Sequence, residues 1–313
     1  MAINSLETAK KYTDALDKVT VQKAQTGFFA DNVFKAKFVG AKTVIVPDVD
    51  FVGLADYDRD NGFSKAGITV SNTSFTLSKD RGRKLQLDRE DMDETGVSNL
   101  AGQILGEYVR TQVVPEMDAY VLSKLAKVAS DKSHKTTYAA AKAVSQLATA
   151  INNVQSRTGY DEELVAFVDS TFYSALMNST EFTRNVVVSD FKKGEINIRV
   201  KTFNGVAIIP VSDDRMRDAY TFTAGTEATS SAAATGGFTP TASAGYIRAL
   251  VIPKKGASLV KKTETMRIFT PEQNMDADAY VFNYRLYYDV FVKKSGLDNI
   301  ETVITAGTTS TGS

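Results

Sequence analysis

Hydrophobic positions along the chain change their spacing at several points, and each change marks a boundary between predicted elements. From residue 3 to 25, Ile3, Leu6, Ala9, Leu16 and Val19 recur among lysines and acids, which predicts an amphipathic helical arm. The pattern then shortens into β-type runs: Val44-Ile45-Val46, Phe51-Val52, Ile68-Thr69-Val70, Phe75-Thr76-Leu77 and Leu85-Gln86-Leu87. Pro47, Gly53, Gly62, Gly67 and Gly82 punctuate them, so residues 38–95 read as an extended β-hairpin with a long tip.

A helical period returns over 97–130 through Leu100, Ile104, Leu105, Tyr108, Val109, Val113, Met117, Tyr120, Val121, Leu125 and Val128. Such a helix would run about 50 Å at 1.5 Å per residue, with Pro115 as the place for a kink. A second helical pattern, 137–156, is spaced by Val144, Leu147, Ile151 and Val154 and ends near Gly159. The run 164–168 predicts a buried strand, 172–177 a short helix and 206–211 a further core strand, so 137–252 forms a layered domain of helices and strands. Residues 224–245 are nearly all Ala, Thr, Ser and Gly with one charge, Glu227, and predict a mobile, dispensable surface loop. Strands return over 247–252 and 280–292, the latter with Val281, Leu286, Tyr288 and Val290 on its core face. The fold class is α+β, with no internal repeat and a frayed polar tail.

With 313 residues, 43% of them hydrophobic, the chain can bury one large or two modest cores. Its 37 basic and 37 acidic residues cancel, so no whole-chain field draws it to nucleic acid or to an anionic membrane. The absence of cysteine removes disulfides, thiolate metal sites, iron–sulfur clusters and a cysteine nucleophile. The N-terminal segment lacks the basic start and apolar run of a secretory signal, and no apolar stretch is long enough to span a bilayer.

The catalytic inventory is thin. His134 is the single histidine, and it lies in the polar string Ser130-Asp131-Lys132-Ser133-His134-Lys135, which predicts a solvated connector rather than the base of a triad or a zinc ligand. Neither GxxxxGK[ST] nor GxGxxG occurs. The string Asp56-Tyr57-Asp58-Arg59-Asp60 opens like a calcium loop, but Asn61 stands where the turn glycine belongs and Gly67 where the bidentate glutamate belongs. The acids Asp88, Glu90, Asp91, Asp93 and Glu94 precede the long helical pattern, where they complement the helix dipole and cap its first turn. A carboxylate-metal enzyme would need these acids to converge with Asp213 and Asp214. The reading is therefore of a protein that is not an enzyme, with no catalytic, cofactor or metal residues.

What does stand out is charge segregation. Asp48, Asp50, Asp56, Asp58 and Asp60 outnumber Arg59 and Lys65 over 47–67, whereas Lys79, Arg81, Arg83 and Lys84 outnumber Asp80 over 79–84. An acidic tip and a basic return strand suggest complementary surfaces on neighbouring copies, with Asp56, Asp58, Asp60, Arg59, Arg81, Arg83 and Lys84 as assembly contacts.

Three stretches carry a family likeness: 75–83 continuing into 87–95, the segment 110–120 around Pro115, and 267–271 followed by 284–292. With the order of elements, they make the chain resemble the major capsid protein of tailed bacteriophages, the Hong Kong 97-type shell fold. The resemblance implies an N-terminal arm (1–37), an extended β-hairpin loop (38–95), a peripheral domain with a spine helix (96–136 and 253–305), an α/β axial domain (137–252, with its low-complexity loop at 224–245) and a flexible tail (306–313). It further implies hexamers and pentamers in an icosahedral shell around double-stranded DNA, contacted weakly and without sequence preference. A separate scaffolding protein and a portal would be partners, because the arm before the hairpin is short for a fused scaffold. No cofactor and no membrane are implied, and the location is the virion, with assembly in the host cytoplasm. An encapsulin-like nanocompartment shell protein shares this fold and is the alternative.

Overall fold

A computed structural model of the chain describes residues 24–31, 37–39, 42–60, 62–90, 105–193, 196–227 and 234–307. The expected arm helix up to residue 23, positions 97–104 of the expected long helix, the acids Asp91, Asp93 and Glu94, and the tail from 308 lie outside these described residues. In chain order, a 3-10 turn at Gly27–Asp31 precedes β1 (Lys37–Val39), β2 (Thr43–Asp50), β3 (Thr69–Thr76) and β4 (Lys79–Asp88). Helix α1 (Val114–Asp131) leads through β5 (Lys135–Thr137) to α2 (Ala143–Thr158), β6 (Leu164–Val168), α3 (Ser170–Met177) and α4 (Thr180–Asn185). Then follow β7 (Val186–Lys193), β8 (Ile196–Phe203), β9 (Val206–Pro210), β10 (Tyr220–Phe222) and β11 (Phe238–Pro240). The last strands are β12 (Tyr246–Pro253), β13 (Ala257–Phe269), β14 (Ala279–Val292) and β15 (Glu301–Thr305). The fold is α+β, with many strands and few helices.

A seven-stranded sheet, in the order β5-β15-β12-β6-β9-β8-β7, forms the centre of one half. Every residue of β6 is buried, and the period of two divides its side chains between two cores. Val165 and Phe167 face the core that contains α1, while Leu164, Ala166 and Val168 face the core of α2, α3 and α4. The α1 helix is buried around much of its circumference, through Met117, Val121, Leu122, Leu125 and Ala129, because it packs against strands of three different sheets. Helix α2 stops at Gly159, whose N–H still donates to the Gln155 carbonyl and whose positive φ of 92° then turns the chain out of the helix.

The expected long helix is present over 105–131 but is not uniform. A π-helical turn, Val109–Val113, precedes α1, and Pro115 falls in the first turn of α1. Proline has no N–H to donate, and the wider turn ahead of it accommodates the interruption.

Three features differ from the sequence reading. β1, β2 and β3 form a separate antiparallel sheet, with Val44 opposite Phe75 and Asp50 opposite Thr69, whereas Phe51-Val52 lies in the tip and is not a strand. Pro47 lies within β2, opposite Asn72 of β3. The basic strand β4 does not return along this hairpin but pairs with β14, in a three-stranded sheet of order β13-β14-β4. Last, β15 leaves β13 and β14 and inserts between β12 and β5 in the seven-stranded sheet.

The segment 224–245 also carries more structure than its composition suggests. Its Phe238 pairs through β11 with β10, and the Phe238 ring meets Tyr220 edge-on at 5.5 Å. Thr226 bridges Thr235, Ala244 is buried, and the Gly245 N–H donates to Asp218 at 2.7 Å. A few aromatic and polar anchors offset the ordering cost that so many small residues incur. Phe238→Ala should therefore cost about 1–2 kcal/mol in denaturant unfolding, less than a fully buried phenylalanine because the ring is half-buried. An unchanged midpoint would restore the reading of this segment as dispensable.

Candidate assembly surfaces

The tip of the β2–β3 ribbon combines charge with exposed apolar side chains. Asp58 and Gly62 exchange backbone hydrogen bonds, and the Asp58 carboxylate accepts the Asp60 N–H at 2.9 Å, so this acid shapes the turn. Asp56, Arg59 and Asp60 are exposed around it. Phe51, Val52, Leu54, Phe63 and Ile68 are also exposed, and Tyr57 meets Phe63 edge-on at 4.9 Å without covering it. So large an apolar surface on one projecting element is uncommon for a chain that stays alone in water.

The basic strand is engaged with its own chain. Arg81 forms a two-point pair with Glu116, at 2.6 and 3.1 Å, and donates to the Thr223 carbonyl at 2.7 Å and the Gly237 carbonyl at 3.2 Å. The Glu116 hydrogen bond holds the Arg81 guanidinium above its ordinary pKa. Arg83 donates to the Thr235 carbonyl at 2.8 Å, and the Lys79 ammonium, its pKa lowered by burial, sits 3.7 Å from the centre of the Phe222 ring. Lys84 pairs with Asp276 at 3.5 Å, both exposed. Residues 79, 81 and 83 share one face of β4, so the period of two aims all three cations at the β10–β11 segment. Arg81 and Arg83 also line a cavity of about 440 Å³ together with Tyr108, Glu116, Tyr284 and Tyr288.

Four buried carboxylates that the hydropathy pattern did not single out sit where elements meet. Asp118 of α1 accepts from the Gln25 and Thr26 backbone and from Arg215. Asp169 caps α3 through the Phe172 N–H and pairs with Arg248; burial raises its pKa against the pull of those partners. Asp289 joins β14 to α1 through Lys124 and Tyr120, and Glu301 pairs with Arg157 of α2. An acid inside an apolar run, as in Tyr287-Tyr288-Asp289-Val290-Phe291, is the sequence signal for such a site, since an unpartnered charge there would be costly.

The enzyme-like residues lead elsewhere. His134 is not in a solvated loop: its ring is about three-quarters covered, lies 3.6 Å from Asp298 and 3.5 Å from Glu301, and is followed by β5. Asp88 caps Glu90 N–H at 2.9 Å, and Asp213 holds Ser170 at the start of α3. Among the described residues no group of three or more side chains is arranged to hold a metal ion.

No protein-family model and no curated protein matches the sequence. Solved structures do match. The capsid structure of cyanophage P-SCSP1u superposes with a TM-score of 0.55 at 13% identity, covering 87% of this chain and 86% of that one. The mature capsid of bacteriophage PhiM1 gives 0.53 at 14%, covering 84% and 82%. The fold is the Hong Kong 97-type capsid fold. A structure from Gordonia phage Cozz agrees, with a TM-score of 0.55 at 12% identity and coverage of 84% and 81%. In each of these matches more than four-fifths of both chains is covered, so the likeness extends over most of the α+β fold.

Proposed function

We propose that the chain is the major capsid protein of a tailed bacteriophage and assembles with itself, as hexamers and pentamers, into an icosahedral shell around double-stranded DNA. The observation that carries this reading is the ribbon tip, where large apolar side chains project beyond the small buried cluster at the ribbon's base. Such a surface is a liability in a monomer and a docking element in a shell. On this reading the ribbon is the extended loop that lies over a neighbouring subunit. The β13-β14-β4 sheet with α1 is the peripheral domain, and the seven-stranded sheet is the main part of the axial domain.

Asp56, Asp58, Asp60 and Arg59 are the contacts on the tip side. On the receiving side Lys84 and Arg83 are better placed than Arg81, which Glu116 already neutralises within the chain. The zero net charge suits a wall that touches packaged DNA weakly, since each phosphate contact would add salt-dependent affinity. A separate scaffolding protein and a portal complete the set of partners, no catalytic role is assigned, and assembly in the host cytoplasm ends in the virion. Among the described residues no helix is long and apolar enough to cross a membrane.

Electron microscopy of the recombinant protein, alone and with a candidate scaffolding protein, tests the reading. Closed icosahedral shells are expected. A protein that stays monomeric under both conditions at high concentration would overturn it.

A further inference from the structure

The ribbon and the body are joined by a nearly continuous strand. β3 ends at Thr76 and β4 begins at Lys79, so only Leu77 and Ser78 separate them. Leu77 still belongs to the ribbon side: its N–H donates to the Lys42 carbonyl at 2.8 Å, and its side chain is buried with Val44, Val46, Tyr287 and Phe291. On the body side, the β4–β14 ladder ends with Lys79 opposite Tyr288. Ser78 is where one ladder gives way to the other.

The next residue on β14 is Asp289, which is fully buried, and its side chain takes over where the ladder stops. One carboxylate oxygen accepts the Ser78 N–H at 3.0 Å and the Ser78 hydroxyl at 2.9 Å. The other accepts the Tyr120 hydroxyl at 2.8 Å, the Lys124 ammonium at 2.5 Å and its neighbour's Val290 N–H at 2.7 Å. Tyr120 and Lys124 belong to α1, so this carboxylate ties the exit of the ribbon to the helix and to β14 at once. The Tyr287 hydroxyl adds a bond to the Leu77 carbonyl at 3.2 Å, and Phe75 packs on Phe291 at 4.7 Å.

We propose that Asp289 is a positioning residue that fixes the direction in which the ribbon leaves the body, by holding Ser78 at the junction of β3 and β4. A residue free to rotate at this point would swing the whole ribbon, because a small dihedral change at its base is multiplied along a rigid arm. An ionised side chain suits this position, since a carboxylate presents acceptors only and every group turned toward it is a donor. An asparagine in its place would aim an N–H₂ at donors on one side or the other, and would lose the charge opposite Lys124. That the ribbon's direction matters for closing a shell rests on the capsid reading; the positioning itself does not.

The chain has no cysteine, so nitroxide labels introduced at Val70→Cys on the ribbon and Lys127→Cys on α1, both exposed, report one distance in the unassembled subunit by pulsed electron spin resonance. A single narrow distance is expected in the otherwise unchanged protein and in Ser78→Thr, which keeps the hydroxyl. Ser78→Ala and Asp289→Asn should lose that narrow peak for a broad distribution, with cooperative melting retained in Ser78→Ala. A narrow distance unchanged in both variants would overturn the proposal; if Asp289→Asn fails to fold, an unchanged distance in Ser78→Ala alone does so. Shell formation is read separately on the unlabelled protein. Broadening without shells keeps the positioning role and removes the capsid reading, while shells with unchanged distances remove only the positioning role.

Discussion

Replacing Phe51, Leu54 and Phe63 together with serine should abolish shell formation while leaving the subunit's melting temperature within about 1–2 °C of the parent. All three side chains are exposed on the ribbon tip, so the isolated subunit loses almost no packing when they are shortened. An assembled shell would lose much more. Covering a side chain of this size stabilises by roughly 1.5–3 kcal/mol, and the loss recurs at every copy of the contact. Charge reversal at Asp58 and Asp60 provides the comparison, since exposed ion pairs contribute only about 0–1 kcal/mol each. That double variant should slow assembly and change its salt dependence, as the Debye length falls to about 3 Å at 1 M, without eliminating shells. Light scattering for rate and electron microscopy for product distinguish the two effects. Normal shells from the triple serine variant would show that the tip is not the contact.

The parts of the fold that can be read from the sequence are those whose partners are close in the chain or whose surroundings are uniformly apolar. β6 is legible because Leu164-Val165-Ala166-Phe167-Val168 has no polar interruption, and α2 because its apolar stripe ends at a glycine. The β8–β9 hairpin carries a local signal too, one that hydropathy alone does not reveal. Phe203 pairs with Val206 across Asn204-Gly205, both with positive φ, the residue pair that a tight hairpin turn favours.

Other features have no local signal. β4 resembles the returning arm of the hairpin because neighbouring strands usually pair, yet its partner β14 lies some two hundred residues away. The same separation hides the site chemistry. In sequence Arg81 and Arg83 look free to meet a neighbouring subunit because Glu116 and the carbonyls of Thr223, Thr235 and Gly237 are not adjacent to them. His134 looks solvated because Asp298 and Glu301 come from the far end of the chain. Exposure of the ribbon tip has no sequence signature beyond its aspartates, since Phe51, Leu54 and Phe63 would equally suit a core.

Asp118→Ala is expected to be the most destabilising single change among the polar residues, lowering unfolding free energy by about 3–5 kcal/mol. Asp118 is fully buried in α1, yet its oxygens serve a segment outside the helix: the N–H groups of Gln25 and Thr26 at 3.0 Å, the Thr26 hydroxyl at 2.7 Å and Arg215 at 3.1 Å. These bonds hold residues 24–31 against the body, where Phe28 and Phe29 are buried beside Phe167 and Phe191. Alanine would leave the Arg215 guanidinium without its carboxylate and two backbone donors without an acceptor, in a place water reaches poorly. Releasing the segment to satisfy those donors in water would uncover both phenylalanines, so neither escape is cheap. At about 2–4 °C per kcal/mol, the melting temperature should fall by roughly 6–20 °C. Thr26→Ala removes only one of these bonds and should cost about 1 kcal/mol. A Thr26→Ala loss equal to or larger than that of Asp118→Ala would show that the segment is held by its phenylalanines and not by the carboxylate.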